Sequence, residues 1–205
     1  MPEYEEDLYC FYVTFDCNWN CDYCSEETHN KPHLSEEKVL SNAKLIRPKT
    51  TVTLSGGEPG TISKELLSGV LSILEEKECI IEVNTNGLFF KKHPEYCDRI
   101  DKFFYHCSEN FKDDIYIPNI NSDIEYLLVV SDNNFMDVEE YVRRYPDIKF
   151  KLFGSMKTDY TNGKKNIGLS LRNGVKVYRE LKDVIDSSSK IELMCQGMGD
   201  TSCQM

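Results

Sequence analysis

The chain has 205 residues, of which 40% are hydrophobic and 29% charged, a balance typical of a globular protein with a sizeable core. Its net charge of −11 argues against direct binding of duplex nucleic acid, which depends on Lys and Arg side chains that neutralise phosphates. No apolar stretch approaches the length of a membrane-spanning helix, and the acidic N-terminus lacks the basic and apolar regions of a signal peptide. We therefore expect a cytoplasmic protein without a membrane partner.

Strands and helices alternate along the first half of the chain. Apolar and aromatic runs predict three strands: Leu8–Phe15, Thr50–Leu54 and Cys79–Val83. Ser35 and Ser63 are good N-caps and predict the starts of two helices between these strands. The second helix should reach about Lys77, because its leucines and valine recur at helical spacing.

The alternation continues through the second half. Three further strands are predicted: Lys102–His106, Ile124–Val130 and Lys149–Phe153. Three helices are predicted: a short one over His93–Ile100, then Phe135–Tyr145 and Val175–Ile185. Alternating elements indicate an α/β fold with parallel strands, and six units rather than eight predict a partial (β/α)6 barrel. We expect a single domain over residues 1–205, with 190–205 as a tail or lid that contains Cys and Gly.

The first predicted strand is followed by three cysteines at C-x3-C-x2-C spacing, namely Cys17, Cys21 and Cys24. Nine cysteines in a cytoplasmic chain argue against a disulfide framework, and three thiolates so close together suit a soft metal centre. A [4Fe–4S] cluster usually has four cysteine ligands, so three would leave one iron open to another ligand. Structural zinc is the alternative, but zinc prefers four closed ligands and no fourth Cys or His completes a standard spacing.

Two further motifs follow the next two predicted strands. Ser55-Gly-Gly-Glu-Pro59 comes after the second strand and Asn84-Thr-Asn-Gly87 after the third. In barrels of this type, functional residues collect at the carboxyl ends of the strands, which is where all three motifs fall. Each of the two could also be a simple turn, since Gly, Pro and Asn are common in turns.

Together these motifs resemble the radical S-adenosylmethionine (radical SAM) superfamily. Its signatures are the C-x3-C-x2-C loop with an aromatic residue, here Tyr23, before the last cysteine, and a Gly-Gly-Glu-Pro motif after the second strand. The resemblance covers the chain nearly end to end and implies the six-unit partial barrel. It also implies two cofactors, a [4Fe–4S] cluster and S-adenosylmethionine.

The resemblance assigns roles to individual residues. Cys17, Cys21 and Cys24 would ligate three irons, and the amino and carboxylate groups of S-adenosylmethionine would bind the fourth. Within Gly56-Gly57-Glu58-Pro59, the Glu58 carboxylate and the glycine backbone would receive the methionine ammonium, because glycines permit close approach and a carboxylate suits a cation. The remaining expected cofactor contacts are the Tyr23 backbone for adenine, Ser108 and Asn133 or Asn134 for ribose or carboxylate, and Asn84 and Asn86 at the same mouth.

The expected reaction is reductive cleavage of S-adenosylmethionine to a 5′-deoxyadenosyl radical that takes hydrogen from a substrate. We expect a small or nucleoside-like substrate, and an electron from reduced flavodoxin or ferredoxin. The alternatives are a peptide- or protein-modifying enzyme, including a glycyl-radical activase, and a non-catalytic iron–sulfur or SAM-binding protein. Cys195 and Cys203 in the tail, with Cys107, could instead belong to an auxiliary cluster.

Overall fold

The computed structural model describes residues 8–21, 24, 33–107, 113–130, 137–154 and 191–194. These residues fall into two compact units. The first contains the residues up to 20, residues 26–105 and residues 116–124, and the second contains all the others. The expectation of a single domain therefore stays a prediction. Among the described residues, no helix has the length and apolarity needed to cross a bilayer.

The first unit contains a sheet of four strands that run parallel and lie in chain order. Its strands are β1 (Leu8–Thr14), β2 (Thr51–Gly56), β3 (Ile80–Thr85) and, as far as Tyr105, β4 (Lys102–His106). The central strands β2 and β3 carry buried Val, Leu and Ile side chains, as expected where helices cover a parallel sheet.

Helices connect these strands. They are α1 (Glu36–Leu45), α2 (Lys64–Glu76) and α3 (Leu88–Lys92), with 3-10 helices at Pro59–Thr61 and Pro94–Arg99. The N-caps predicted for α1 and α2 are confirmed: the Ser35 hydroxyl accepts from the Lys38 N–H and the Ser63 hydroxyl from the Leu66 N–H. The short helix predicted over His93–Ile100 is a 3-10 helix, and α3 was not predicted.

The second unit contains β5 (Asp123–Val130) from Glu125 onward, α4 (Val138–Arg144), β6 (Phe150–Gly154) and β7 (Ile191–Met194). Strand β6 pairs in parallel with both β5 and β7. All six predicted strands are present, and β7 is a seventh within the part of the chain that the structure describes. The predicted helix Val175–Ile185 lies outside the described residues.

Strand β7 lies inside the segment predicted as a tail or lid. Ile191 to Met194 continue the parallel ladder of β6, with Phe150 opposite Ile191 and Phe153 opposite Met194. Four residues are too short a run for period-two patterning to show in the sequence, so only pairing with β6 identifies them as a strand.

Candidate cofactor site

The Gly-Gly-Glu-Pro motif does not follow β2 but begins inside it. Ser55 and Gly56 are the last residues of the strand, and Gly56 pairs with Thr14 of β1. A Cβ atom on Gly56 would lie 2.1 Å from the Thr14 carbonyl oxygen, and Gly56 has a φ of +113°. Only glycine adopts this backbone without strain and leaves room for that carbonyl.

Gly57 is required for a second close approach. Its added Cβ would lie 2.1 Å from the Asp16 carbonyl oxygen. The Gly57 N–H donates to the Thr14 carbonyl (2.8 Å), and the Glu58 N–H donates to the Asp16 carbonyl (2.7 Å). The two glycines therefore let the motif bind the backbone that leads directly into the cysteine loop.

Glu58 is 1% exposed, and its carboxylate accepts three hydrogen bonds. Its Oε1 accepts from the Gly60 N–H (2.9 Å) and the Thr85 hydroxyl (2.7 Å), and its Oε2 accepts from the Asn86 N–H (2.6 Å). Burial raises the pKa of Glu58, because loss of solvation outweighs the donors that favour the ionised form. The carboxylate thus joins the end of β2 to the end of β3.

The Asn-Thr-Asn-Gly motif also begins inside its strand, since Asn84 and Thr85 are the last residues of β3. The prediction that both motifs follow their strands is therefore wrong by two residues. Both strands extend because their last residues pair with the outer strands, Ser55 with Tyr12 of β1 and Asn84 with Phe104 of β4. The Asn84 amide also donates to the Ser55 hydroxyl (3.2 Å). We call residues 55–60 and 84–89 the β2–β3 junction.

Thr85 was not singled out from the sequence, yet it is central to the junction. Its hydroxyl accepts from the N–H groups of Gly87 (3.0 Å) and Phe89 (3.4 Å) while it donates to Glu58. The available signal is the strand alternation, because Thr85 continues the buried series of Ile81 and Val83. A hydroxyl on an otherwise apolar strand face needs a buried partner.

Cys17 is half-buried in the first unit. Its Sγ accepts from the Trp19 N–H (3.4 Å) and from the Asn86 side-chain amide (3.8 Å). That amide also donates to the Asn18 side-chain oxygen (2.9 Å), so Asn18 also contributes to the site. A sulfur that accepts two N–H groups fits a cluster-ligating thiolate, because hydrogen bonds to sulfur stabilise its negative charge.

Cys21 and Cys24 belong to the second unit, where the Cys24 N–H donates to the Cys21 carbonyl (3.1 Å). Cys21 is half-buried and Cys24 exposed. No three His, Cys, Asp or Glu side chains in the described ranges are grouped to hold one metal ion. A cluster differs from a single ion because each thiolate binds a different iron. The donor chemistry fits an iron–sulfur cluster, and the three-cysteine ligand set stays a prediction.

Several predicted site residues lie outside the described residues, namely Tyr23, Ser108, Asn133, Asn134, Cys195 and Cys203. Cys107 is described and buried, and its thiol donates to the Leu127 carbonyl (3.4 Å). Burial raises the pKa of Cys107 far above its usual value. A thiol held in its protonated form is a poor metal ligand, so this arrangement gives the auxiliary-cluster hypothesis no support.

The family model of the Radical SAM superfamily matches residues 11–108. Residues 11–108 belong to the radical SAM superfamily. The match contains the cysteine loop, the Gly-Gly-Glu-Pro motif and the β2–β3 junction. The resemblance seen in the sequence is therefore confirmed, and the predicted cofactors, a [4Fe–4S] cluster and S-adenosylmethionine, are those of this superfamily.

Solved radical SAM structures share the fold. "Native anSMEcpe with bound AdoMet" has a TM-score of 0.65 at 14% identity, with 91% of this chain and 64% of that chain covered. The same protein with AdoMet and the Cp18Cys peptide has a TM-score of 0.62 at 15% identity, with coverage of 91% and 63%. Streptococcus suis SuiB bound to precursor peptide SuiA has a TM-score of 0.60 at 13% identity, with coverage of 94% and 49%.

These likenesses confirm the predicted fold class, a partial (β/α)6 barrel with parallel strands. At such low identity they show the fold alone. The chain spans less than two thirds of the length of the first of these structures. A search of curated proteins found no match.

Proposed function

We propose that this protein is a radical SAM enzyme. In this proposal Cys17, Cys21 and Cys24 hold a [4Fe–4S] cluster, and S-adenosylmethionine binds beside the β2–β3 junction. When bound and reduced by an external donor, the cluster would supply the one electron needed for reductive cleavage of S-adenosylmethionine to methionine and a 5′-deoxyadenosyl radical, which would take a hydrogen atom from the substrate. The observation that carries the proposal is the match of residues 11–108, which contains both signature motifs.

The chain's own residues have distinct tasks in this proposal. Gly56 and Gly57 keep the motif against the backbone of Thr14 and Asp16, and so set where the cysteine loop begins. The Glu58 carboxylate was predicted to receive the methionine ammonium, but it already accepts hydrogen bonds from three groups of the protein. A carboxylate has about four lone-pair positions, and the Phe89 N–H also favours its ionised form, so little capacity remains for a further donor. The role we favour for Glu58 is to hold the junction in shape, with the backbone there facing the cofactor.

A peptide is the substrate class that we favour over the small or nucleoside-like molecule expected from the sequence. The support is that two proteins of similar fold are described with bound peptides, anSMEcpe with Cp18Cys and SuiB with SuiA. Reduced flavodoxin or ferredoxin remains the proposed electron donor, and a cytoplasmic location remains a prediction.

Anaerobic reconstitution tests the proposal. The protein with cluster, S-adenosylmethionine and dithionite should release 5′-deoxyadenosine, measured by chromatography and mass spectrometry. Cys21→Ala should lose the visible absorbance of the cluster and release none, whereas Cys10→Ala, an exposed cysteine on β1, should behave as the wild type. An intact cluster without any 5′-deoxyadenosine would contradict the enzyme and favour a non-catalytic iron–sulfur protein, while zinc after anaerobic purification would favour a structural metal.

A further inference from the structure

Both polar atoms of the Asn86 side chain, Oδ1 and Nδ2, make hydrogen bonds. Its Oδ1 accepts from the Leu88 N–H (3.2 Å), and its Nδ2 donates to the Asn18 Oδ1 (2.9 Å) and to the Cys17 Sγ (3.8 Å). Its backbone N–H is held by the buried Glu58 carboxylate. Because the oxygen must face the Leu88 N–H, the amide nitrogen must face the sulfur.

A donor in this place has an electronic consequence. The N–H dipole stabilises negative charge on the Cys17 sulfur, and a cluster carries more negative charge when it is reduced. Hydrogen bonds to the sulfurs are therefore among the features that set the reduction potential of iron–sulfur clusters. The Trp19 N–H acts in the same way, but it comes from the backbone of the loop itself.

We propose that Asn86 is a positioning residue that holds the cysteine loop at Cys17 and raises the reduction potential of the cluster bound there. This differs from the expectation that Asn86 lines the S-adenosylmethionine site. It rests on the proposed function only in requiring a cluster on Cys17. Glu58 helps to position Asn86, because its carboxylate accepts from the Asn86 N–H and so fixes the backbone from which the side-chain amide extends.

The midpoint potential of the reconstituted cluster, followed by electron paramagnetic resonance before any S-adenosylmethionine is added, is the deciding measurement. Asn86→Ala removes the donor and should shift the potential to a more negative value at unchanged iron and sulfide content. Asn86→Asp should shift it further, because one carboxylate oxygen can still accept from the Leu88 N–H while the other places negative charge near the sulfur.

Asn42→Ala is the matched control. It removes an asparagine on helix α1, outside the junction and the cysteine loop, so the potential should equal that of the wild type. An unshifted potential in Asn86→Asp with a full cluster would overturn the proposal for Asn86 alone. A wild-type protein that binds no cluster would overturn the proposed function as well, and the two failures are therefore distinguishable.

Discussion

The β2–β3 junction and helix α2 belong to the same unit but are stabilised in different ways. The junction buries polar groups, with Glu58 and Thr85 at 1% and 3% exposure, and each is bound to specific partners. Helix α2 buries an apolar face formed by Leu66, Leu67, Val70, Leu71 and Leu74. Apolar burial is non-directional and tolerates change on the opposite face, whereas a buried hydrogen-bonded group depends on the position of every partner.

Two glycines offer the sharpest test of this difference. Gly56→Ala in the junction should lower the free energy of unfolding by about 4 kcal/mol, because the Cβ would clash with the Thr14 carbonyl and the backbone has a φ of +113°. Gly69→Ala on α2 should be close to neutral. Its Cβ would meet only the end of the Leu40 side chain, and alanine favours a helix over glycine by about 1 kcal/mol.

Urea unfolding of both variants measures these free energies. Equal losses for Gly56→Ala and Gly69→Ala would show that the junction tolerates substitution as well as the helix does. A larger loss of unfolding free energy in Gly69→Ala would show that the helix tolerates substitution less well than the junction does.

Two glutamates give the next largest effect. Glu58→Ala leaves the donors of Gly60, Thr85 and Asn86 without their acceptor and should cost about 3 kcal/mol, after allowance for the relieved burial of charge. Glu58→Gln should cost less, since the amide keeps one acceptor oxygen. Glu76→Ala, on the exposed face of α2, should change the free energy of unfolding by no more than about 0.5 kcal/mol.

The pH dependence of the same glutamate has a definite sign. Because burial raises the pKa of Glu58, its contribution to stability is fully present below the ordinary value of 4.5 and is lost as pH rises through the raised pKa. The free energy of unfolding of the wild type, relative to Glu58→Gln, should therefore increase as pH is lowered toward 4.5. A relative decrease over that window would mean that the three donors outweigh burial and that the pKa is lowered.

His93, which follows α3, is a contrasting case, because its replacement should stabilise the protein. It is 3% exposed, and neither ring nitrogen has a hydrogen-bond partner among the described residues. A buried polar group without a partner should be dispensable, so His93→Phe should raise the free energy of unfolding by about 1 kcal/mol at pH 7. The new ring can keep the aromatic contact with Phe89, whose centroid lies 5.4 Å from that of His93.

The pKa of His93 is lowered, chiefly by burial. The wild type should lose stability as pH falls below the ordinary value of 6.5, because the unfolded chain takes up a proton that the folded chain does not. His93→Phe should lack this loss, and thermal melts between pH 7 and pH 5 compare the two.

The order of strands and helices could be predicted from the sequence because each element carries a local signal. Ser35 and Ser63 mark helix starts, and alternating apolar residues mark β2 and β3. The strand ends could not be placed. Ser55 and Asn84 have turn-forming side chains, and only backbone pairing with β1 and β4 keeps them in the sheet. Helix α3 was missed because five residues are too few to show helical periodicity.

The sequence by itself determined the superfamily, the cofactors that it implies and the positions of the three motifs, because these depend on residue types at fixed spacing along one chain. Only the tertiary structure decided what the motif residues bind. Glu58 meets Thr85 and Asn86, and Asn86 meets Cys17, because β3 pairs in parallel with β2 and β2 with β1. Contacts between strands so far apart in the chain are set by sheet pairing and burial, which local sequence patterns do not encode.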